Sequence, residues 1–339
     1  MPHLIPDPIY GTTELDSSLE DLIRTPAVAE QKRRLERIKN LGLIHISFPS
    51  ATHSKWEHHL GMTHLAGQIR LAKETRRRLQ ILCLLGGIGH LPYTYATEEA
   101  VLVSARLSRT FRRSLERCLA EVWQMASGEG DRDAEPFKQV IDGMQVMALH
   151  AWLSALKIKR LPQAVDIGDR RRLVKERIDP ESEVNKLYRF VARLDYVQRD
   201  LYYTGLARFS LSAQSLLRSY QNSIDDLISA PASNLIDQLR SYLTDSLYYD
   251  VRSASVEALF AKKLADILVS GRISLNDLLR WHDNDLDSAF ESNAGRNWWS
   301  DVTQTQYAEI SRSKVYFYRR IPLPSKETLW DCRKAALLR

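Results

Sequence analysis

The chain has 339 residues, 44% of them apolar and 27% charged, with a formal net charge of +6. This is enough apolar material for one large core, while no run of eighteen or more apolar residues is present to make a membrane-spanning helix. Three cysteines, Cys83, Cys118 and Cys332, lack CxxC spacing. They argue against a disulfide framework or zinc knuckle and for a reducing, cytoplasmic setting. The opening MPHLIPDPIYG is not expected to be a signal peptide, since no charged stretch leads into an apolar one.

Residues 1–16 read as an extended piece with a turn, because Pro6 and Pro8 disfavour helix and Gly11 closes the segment. Asp16-Ser17-Ser18 supplies N-caps for a helix from about Leu19, which Thr25-Pro26 breaks. A second helix is predicted over 27–41. Residues 47–66, SFPSATHSKWEHHLGMTHLA, lie in a stretch with five histidines between His45 and His64. Glu57, His58, Gly61 and His64 have helical spacing, and a His-rich helix binds metal when a second helix completes the ligand set. Taken singly, His53, His59 and His64 are expected to be half-exposed imidazoles.

An apolar run then leads into ILCLLGGIGHLPYTYATEEAV, residues 81–101. Each glycine costs a helix about 1 kcal/mol relative to Ala, so Gly86-Gly87 should end it. The amides of Gly86-Gly87-Ile88-Gly89 could cradle a phosphate, although the Lys-Ser/Thr of a P-loop is missing. Residues 97–126 read as one long amphipathic helix carrying Leu102, Leu107, Phe111, Leu115, Leu119 and Trp123. SGEGDRDAEP, 127–136, reads as a loop, and 137–156 as another helix. Residues 157–183 have no clear period.

In NKLYRFVARLDYVQRDLYYTGL, 185–206, Asp195 stands among Leu194, Tyr196 and Val197. It is a surface carboxylate, or one paired with Arg193 or Arg199, or a site acid. From 211 to 288 the pattern is helical. Asp283, Asp285 and Asp287 alternate without an EF-hand glycine and glutamate, and read as caps and solvated acids. VYFYRRIPL, 315–323, alternates like a strand. Basic clusters at Lys32-Arg33-Arg34, Arg76-Arg77-Arg78, Lys157 to Arg160 and Arg170-Arg171-Arg172 are singly solvated faces; together they suggest attraction to the phosphates of a nucleotide or nucleic acid.

Three of these segments carry a resemblance. Leu84-Leu85, Ile88-Gly89-His90, Pro92 and Glu98 resemble the A-x-L-L-H-D-I-G-H-x-P-F-S-H-x-x-E signature of HD-domain metal-dependent phosphohydrolases of the dNTP triphosphohydrolase type. Residues 47–66 resemble that family's Y-P-G-A-x-H-x-R-F-E-H-S-L-G-V-x-H-L-A, and 185–206 its D-x-L-D-Y-L-x-R-D-x-Y-Y-T-G. The resemblance implies a mainly α, HD-domain helical fold over 1–210. A helical C-terminal region, 211–339, would pack on it, with a small β element near the end.

The resemblance also implies a degenerate site. Gly86 and Gly87 stand where the family has its His and Asp metal ligands, and Tyr95 where it has a further His. His58 and Asp195 fall on residual ligand positions, Lys55 replaces an Arg, and Arg24 replaces an acid near an activating-nucleotide site. The expectation is therefore a catalytically silent scaffold or regulatory subunit, with a protein partner or second copy and no metal or other cofactor. Lys55, His58, His90, Asp195, Arg199 and Tyr203 are its candidates for holding a nucleotide. The alternatives are a metal-dependent phosphohydrolase rearranged around His53, His58, His90, Asp195 and Asp200, and a nucleic-acid-binding protein using the basic clusters.

Overall fold

The proline-rich start forms a hairpin, β1 (His3–Asp7) antiparallel to β2 (Gly11–Leu15), with Asp7 opposite Gly11. The Asp7 carboxylate accepts from the amides of Ile9 and Tyr10, and Gly11 takes φ +71°, so the turn is built from side-chain capping and one left-handed glycine. The computed structural model describes residues 3–127, 135–206, 217, 224, 227 and 231–294. The strand expected at 315–323 lies outside these residues, as does Cys332.

Beyond the hairpin the described elements are helical, apart from a bridge between Lys39 and Ser54. α1 (Ser17–Arg24) is capped by Asp16, and α2 (Pro26–Leu35) starts on its proline. α2 ends six residues short of the predicted boundary; a short 3-10 turn, Gly42–Ile46, follows. α3 (Lys55–Gln68) opens with a reciprocal capping box between Ser54 and Glu57. α4 (Lys73–Leu85) stops at Gly86, as the glycine pair demands.

The helix expected over 97–126 is two, α5 (Tyr95–Leu107) and α6 (Arg109–Ser127), because Ser108 is extended and its hydroxyl accepts from the amide of Phe111. α7 (Pro136–Asp142) and α8 (Val146–Arg160) follow. The stretch without clear period contains α9 (Arg170–Ile178), capped by Asp169. α10 (Glu183–Thr204) ends on Gly205 at φ +70°. Then come α11 (Pro231–Leu243), a π turn at Thr244–Tyr248, α12 (Val251–Val269), α13 (Leu275–Arg280) and α14 (Asp283–Ala294).

Two apolar clusters hold these helices. One joins α5, α6 and α8 to Phe260 of α12 and Phe290 of α14; the other fills the space between α3, α4 and α10 and reaches Ile236 and Leu243 of α11. Both draw residues from either side of position 210. No helix among the described residues is long and apolar enough to cross a membrane.

The C-terminal helices also brace the segment after α4. Arg34, buried on α2, donates to the carbonyls of Ile88, His90 and Trp281. Asp283 is fully buried, which corrects its reading as a solvated acid. Its two oxygens accept from the amides of Lys39 (2.9 Å) and Tyr93 (2.8 Å). Tyr93 and Thr94 have φ of +53° and +49°, two successive non-glycine residues in a sparsely populated region.

Candidate functional site

α3 is buried on most sides, so His59 is an interior group rather than the half-exposed ring expected of it, while His64 is half-exposed as expected. His53 and His59 are both buried; His64 is partly exposed and accepts from the amide of Glu14. Each buried imidazole is fixed by a partner behind it. His58 Nδ1 lies 2.7 Å from Asp195 Oδ2 and His59 Nδ1 2.6 Å from the carbonyl of Cys83. With those partners as acceptors, both Nδ1 atoms donate and both Nε2 atoms keep lone pairs. Burial pushes His58 below the ordinary histidine value and His59 down to about 3, so both rings are neutral at physiological pH.

A second pair of imidazoles faces them. His90 and His150 stack with centroids 3.6 Å apart. His90 Nδ1 is 3.2 Å from Glu98 Oε1, and His150 Nε2 accepts from Arg177 at 2.8 Å. Arg177 also donates to the carbonyl of Gly86 and lies over the Tyr188 ring. Burial holds both histidines well below their usual value, helped at His90 by His150 and at His150 by the Arg177 charge. Burial raises Glu98 to about 8 against the pull of Lys55, and lowers Lys55 to about 8 against the pull of Glu98. The Lys55 ammonium sits 5.2 Å from the Tyr95 ring centroid.

The four histidines, Lys55, Tyr95, Arg177 and Tyr188 line one cavity of about 810 Å³, with Glu98 buried outside its lining. Its cationic lining is Lys55, Lys175, Arg177, Arg189, Arg193 and Arg240, and Asp179 is the one acidic residue among the described residues that line it. Of the residues singled out in the sequence, Lys55, His58, His90 and Tyr95 meet here. Asp195 does not line the cavity. It accepts from Arg199 Nε (3.0 Å), Arg199 Nη2 (2.9 Å) and Tyr10 Oη (2.9 Å) besides His58. Burial would raise its carboxyl, but Arg199 and His58 outweigh burial and hold it well below the usual range. It is buried and paired with Arg199, so it is not a surface carboxylate, and its bond to His58 keeps it beside an expected ligand position. From the same helix, Asn185, Tyr188, Arg189, Ala192, Arg193 and Tyr196 line the cavity.

Arg199 is fully buried and reaches on to Asp7 at 2.9 Å, while Tyr203 donates to Glu57. Asp200 accepts from His53, Asn40 and Tyr248. The structure therefore does not bring His53, Asp195 and Asp200 to His90. The glycines make no phosphate cradle in this cavity; Gly89 serves close packing against the backbone of Leu153 and Ser154. Reading the sequence missed His59, His150 and Arg177. A lone histidine in the apolar α8 and one arginine in a basic run carry little signal.

A metal ion of the kind implied by the resemblance can be tested against this geometry. A Cβ on Gly87 would lie 1.8 Å from His59 Nε2, and one on Gly86 would lie 2.4 Å from the Leu82 carbonyl and 2.9 Å from the Tyr188 ring. The space beside the glycine pair is thus already filled, and the Asp195 oxygens are engaged elsewhere. At that position the residues do not fit an ion. Among the described residues one other group, His90, Glu98 and His150, has donor atoms within 4.8 Å of one another and could hold a metal.

No family model matches the chain. It is 34% identical over 111 residues to the deoxynucleoside triphosphate triphosphohydrolase SAMHD1 of Danio rerio, covering 30% of this chain and 17% of that protein. The human SAMHD1 is 32% identical over 114 residues, covering 30% of this chain and 18% of its own length. The chain is a distant relative of the HD-domain phosphohydrolases. It spans a fifth or less of the length of these curated relatives. The fold extends further than the sequence match. A hypothetical protein from Aquifex aeolicus superposes with TM-score 0.60 at 20% identity over 95% of this chain and 83% of its own. A phosphohydrolase from Bacteroides thetaiotaomicron gives TM-score 0.54 at 16% identity, over 100% and 77%. The mainly α, HD-type fold expected from the three motifs is the fold observed.

Proposed function

We propose that this HD relative binds a phosphorylated ligand of the nucleotide class in the cavity without a metal at the HD position, and works as a regulatory or scaffolding protein. The observation that carries this is the lining: two buried cations, Lys55 and Arg177, converge with neutral imidazoles, and His59 fills the space beside Gly87. Such a site attracts phosphate oxygens and repels a divalent cation. Without an ion at that position, no group there would polarise a phosphoanhydride and activate water.

Calorimetry with nucleoside triphosphates in EDTA tests the reading. Binding should persist in chelator, and Lys55→Gln should weaken it by about tenfold or more, the value of a charge-assisted contact. Metal-dependent dNTP hydrolysis that disappears in His58→Ala would overturn it.

A second reading has its own support in His90, Glu98 and His150. Glu98 Oε2 and His150 Nδ1 are buried without hydrogen-bond partners, and both could turn to an ion. Against it, His150 Nε2 already accepts from Arg177, which leaves the proton on Nδ1. Holding an ion there requires that contact to break. Stoichiometric metal in the purified protein, lost in His150→Ala, would favour this second reading.

A further inference from the structure

Lys55 is held in a way that a cation serving attraction alone does not need. It is the first residue of α3, next to the Ser54 cap, and it is buried. Its amine faces the Tyr95 ring at 5.2 Å and makes no hydrogen bond or ion pair among the described residues. Two features of this place favour the free amine over the ammonium: the loss of water, and the positive end of the helix that carries it. Burial lowers it to about 8. A free amine is a nucleophile, whereas a guanidinium at the same place would hold an anion and attack nothing. The amine opens on the cavity, which also holds the means to keep a charged reactant there. Arg177 spends Nε on the Gly86 carbonyl and Nη2 on His150, and its Nη1 makes no hydrogen bond among the described residues. The Lys55 and Arg177 charges act on the same three imidazoles, His59, His90 and His150. His58, one turn along α3 from Lys55, lines the cavity with its Nε2 lone pair open.

We propose that Lys55 forms an imine with a small aldehyde that carries a phosphate, the carbonyl at the amine and the phosphate at Arg177. The amine nitrogen attacks the carbonyl carbon and a C–N bond forms. The carbonyl oxygen then leaves as water with the two amine hydrogens, and C=N remains, so the step balances without an oxidant or reductant. His58 Nε2 relays a proton from nitrogen to oxygen on the way. The phosphate half rests on the phosphate-binding reading above, and the nucleophile on the placement of Lys55.

The test is labelling of the full chain in EDTA with substoichiometric pyridoxal phosphate, followed by borohydride reduction and peptide mass spectrometry. Lys55 should carry the adduct ahead of the other lysines, including Lys175, which is exposed and lines the same cavity. Pyridoxal, which lacks the phosphate, should label Lys55 about tenfold more slowly, the worth of a charge-assisted contact. Inorganic tripolyphosphate should protect it, a comparison that needs no variant. Lys55→Arg, checked for an unchanged melting temperature, should lose the adduct. Labelling of Lys175 or of exposed lysines in place of Lys55, with tripolyphosphate still bound by calorimetry, overturns the nucleophile and leaves the phosphate site standing. Equal labelling of Lys55 by pyridoxal, without protection by tripolyphosphate, overturns the phosphorylated aldehyde as its partner. No adduct on Lys55 and no binding of tripolyphosphate sinks the phosphate site and this inference together.

Discussion

Lys55 lines the cavity, and Glu98, buried outside the lining, acts on it through charge. Burial pushes the glutamate up and the lysine down, each against the pull of the other. As pH rises through about 8 the pair sheds protons together and its net charge falls, which disfavours an anion. Affinity for tripolyphosphate should fall by about tenfold or more between about pH 7 and 9.5, measured by calorimetry. Lys55→Arg should hold its affinity at high pH, because a guanidinium stays protonated. Asp195 acts on stability instead. Its folded value is depressed, so its contribution is present above the unfolded value of 3.8 and is lost as pH falls below it. Asp195→Ala leaves the buried Arg199 with Asp7 alone, and should cost about 3–5 kcal/mol in urea unfolding.

The segment 88–95 is an element held by others. Arg34 grips its carbonyls from α2, and Asp283 grips Tyr93 from the start of α14. Tyr93 adds a bond from its hydroxyl to Asp287 at 2.7 Å. Two consecutive residues at positive φ persist only where the surroundings over-determine them. Asp283→Ala removes the acceptor from two amides, at roughly 1–3 kcal/mol for each one left buried without a partner. Hydrogen exchange at 88–95 should quicken in this variant, and ligand affinity should drop because Tyr95, next in the chain, lines the cavity. The alternation of Asp283, Asp285 and Asp287 hid this role: a carboxylate at a helix start reads as a solvated cap, and only the fold shows what lies across from it.

At the scale of the molecule, the sequence told where the helices begin better than which way they face. Caps at Asp16, Ser54 and Asp169 and the stop at Gly86 are local chemistry and can be read from neighbours in the chain. The break at Ser108 has no proline or glycine to announce it, so one helix was expected where two stand. α3 and α10 are buried on most sides, and a helix buried all round has no apolar stripe to orient it. That is why the sequence does not tell that Asp195 turns to Arg199 and His58 while Tyr188, Ala192 and Tyr196 of the same helix line the cavity. The motifs placed the two helices and the glycine loop in one fold; which side chains converge there depends on packing across more than a hundred residues of separation. The N-terminal hairpin shows the same dependence, since Tyr10 and Asp7 complete the Asp195–Arg199 pairing from the other end of the chain.

The contact between Gly87 and His59 closes the glycine pair to larger residues. Gly87→Asp alone would drive a carboxylate into the His59 imidazole, and Gly86→His would meet Tyr188 and the Leu82 carbonyl. The Gly86→His, Gly87→Asp double variant should melt earlier than its parent by calorimetry and gain no bound manganese by elemental analysis, while adding His59→Ser should return part of the lost melting temperature. The pair therefore sits behind a threshold: each single substitution to a larger donor is harmful before it is useful, so the neighbours already in place keep both positions small.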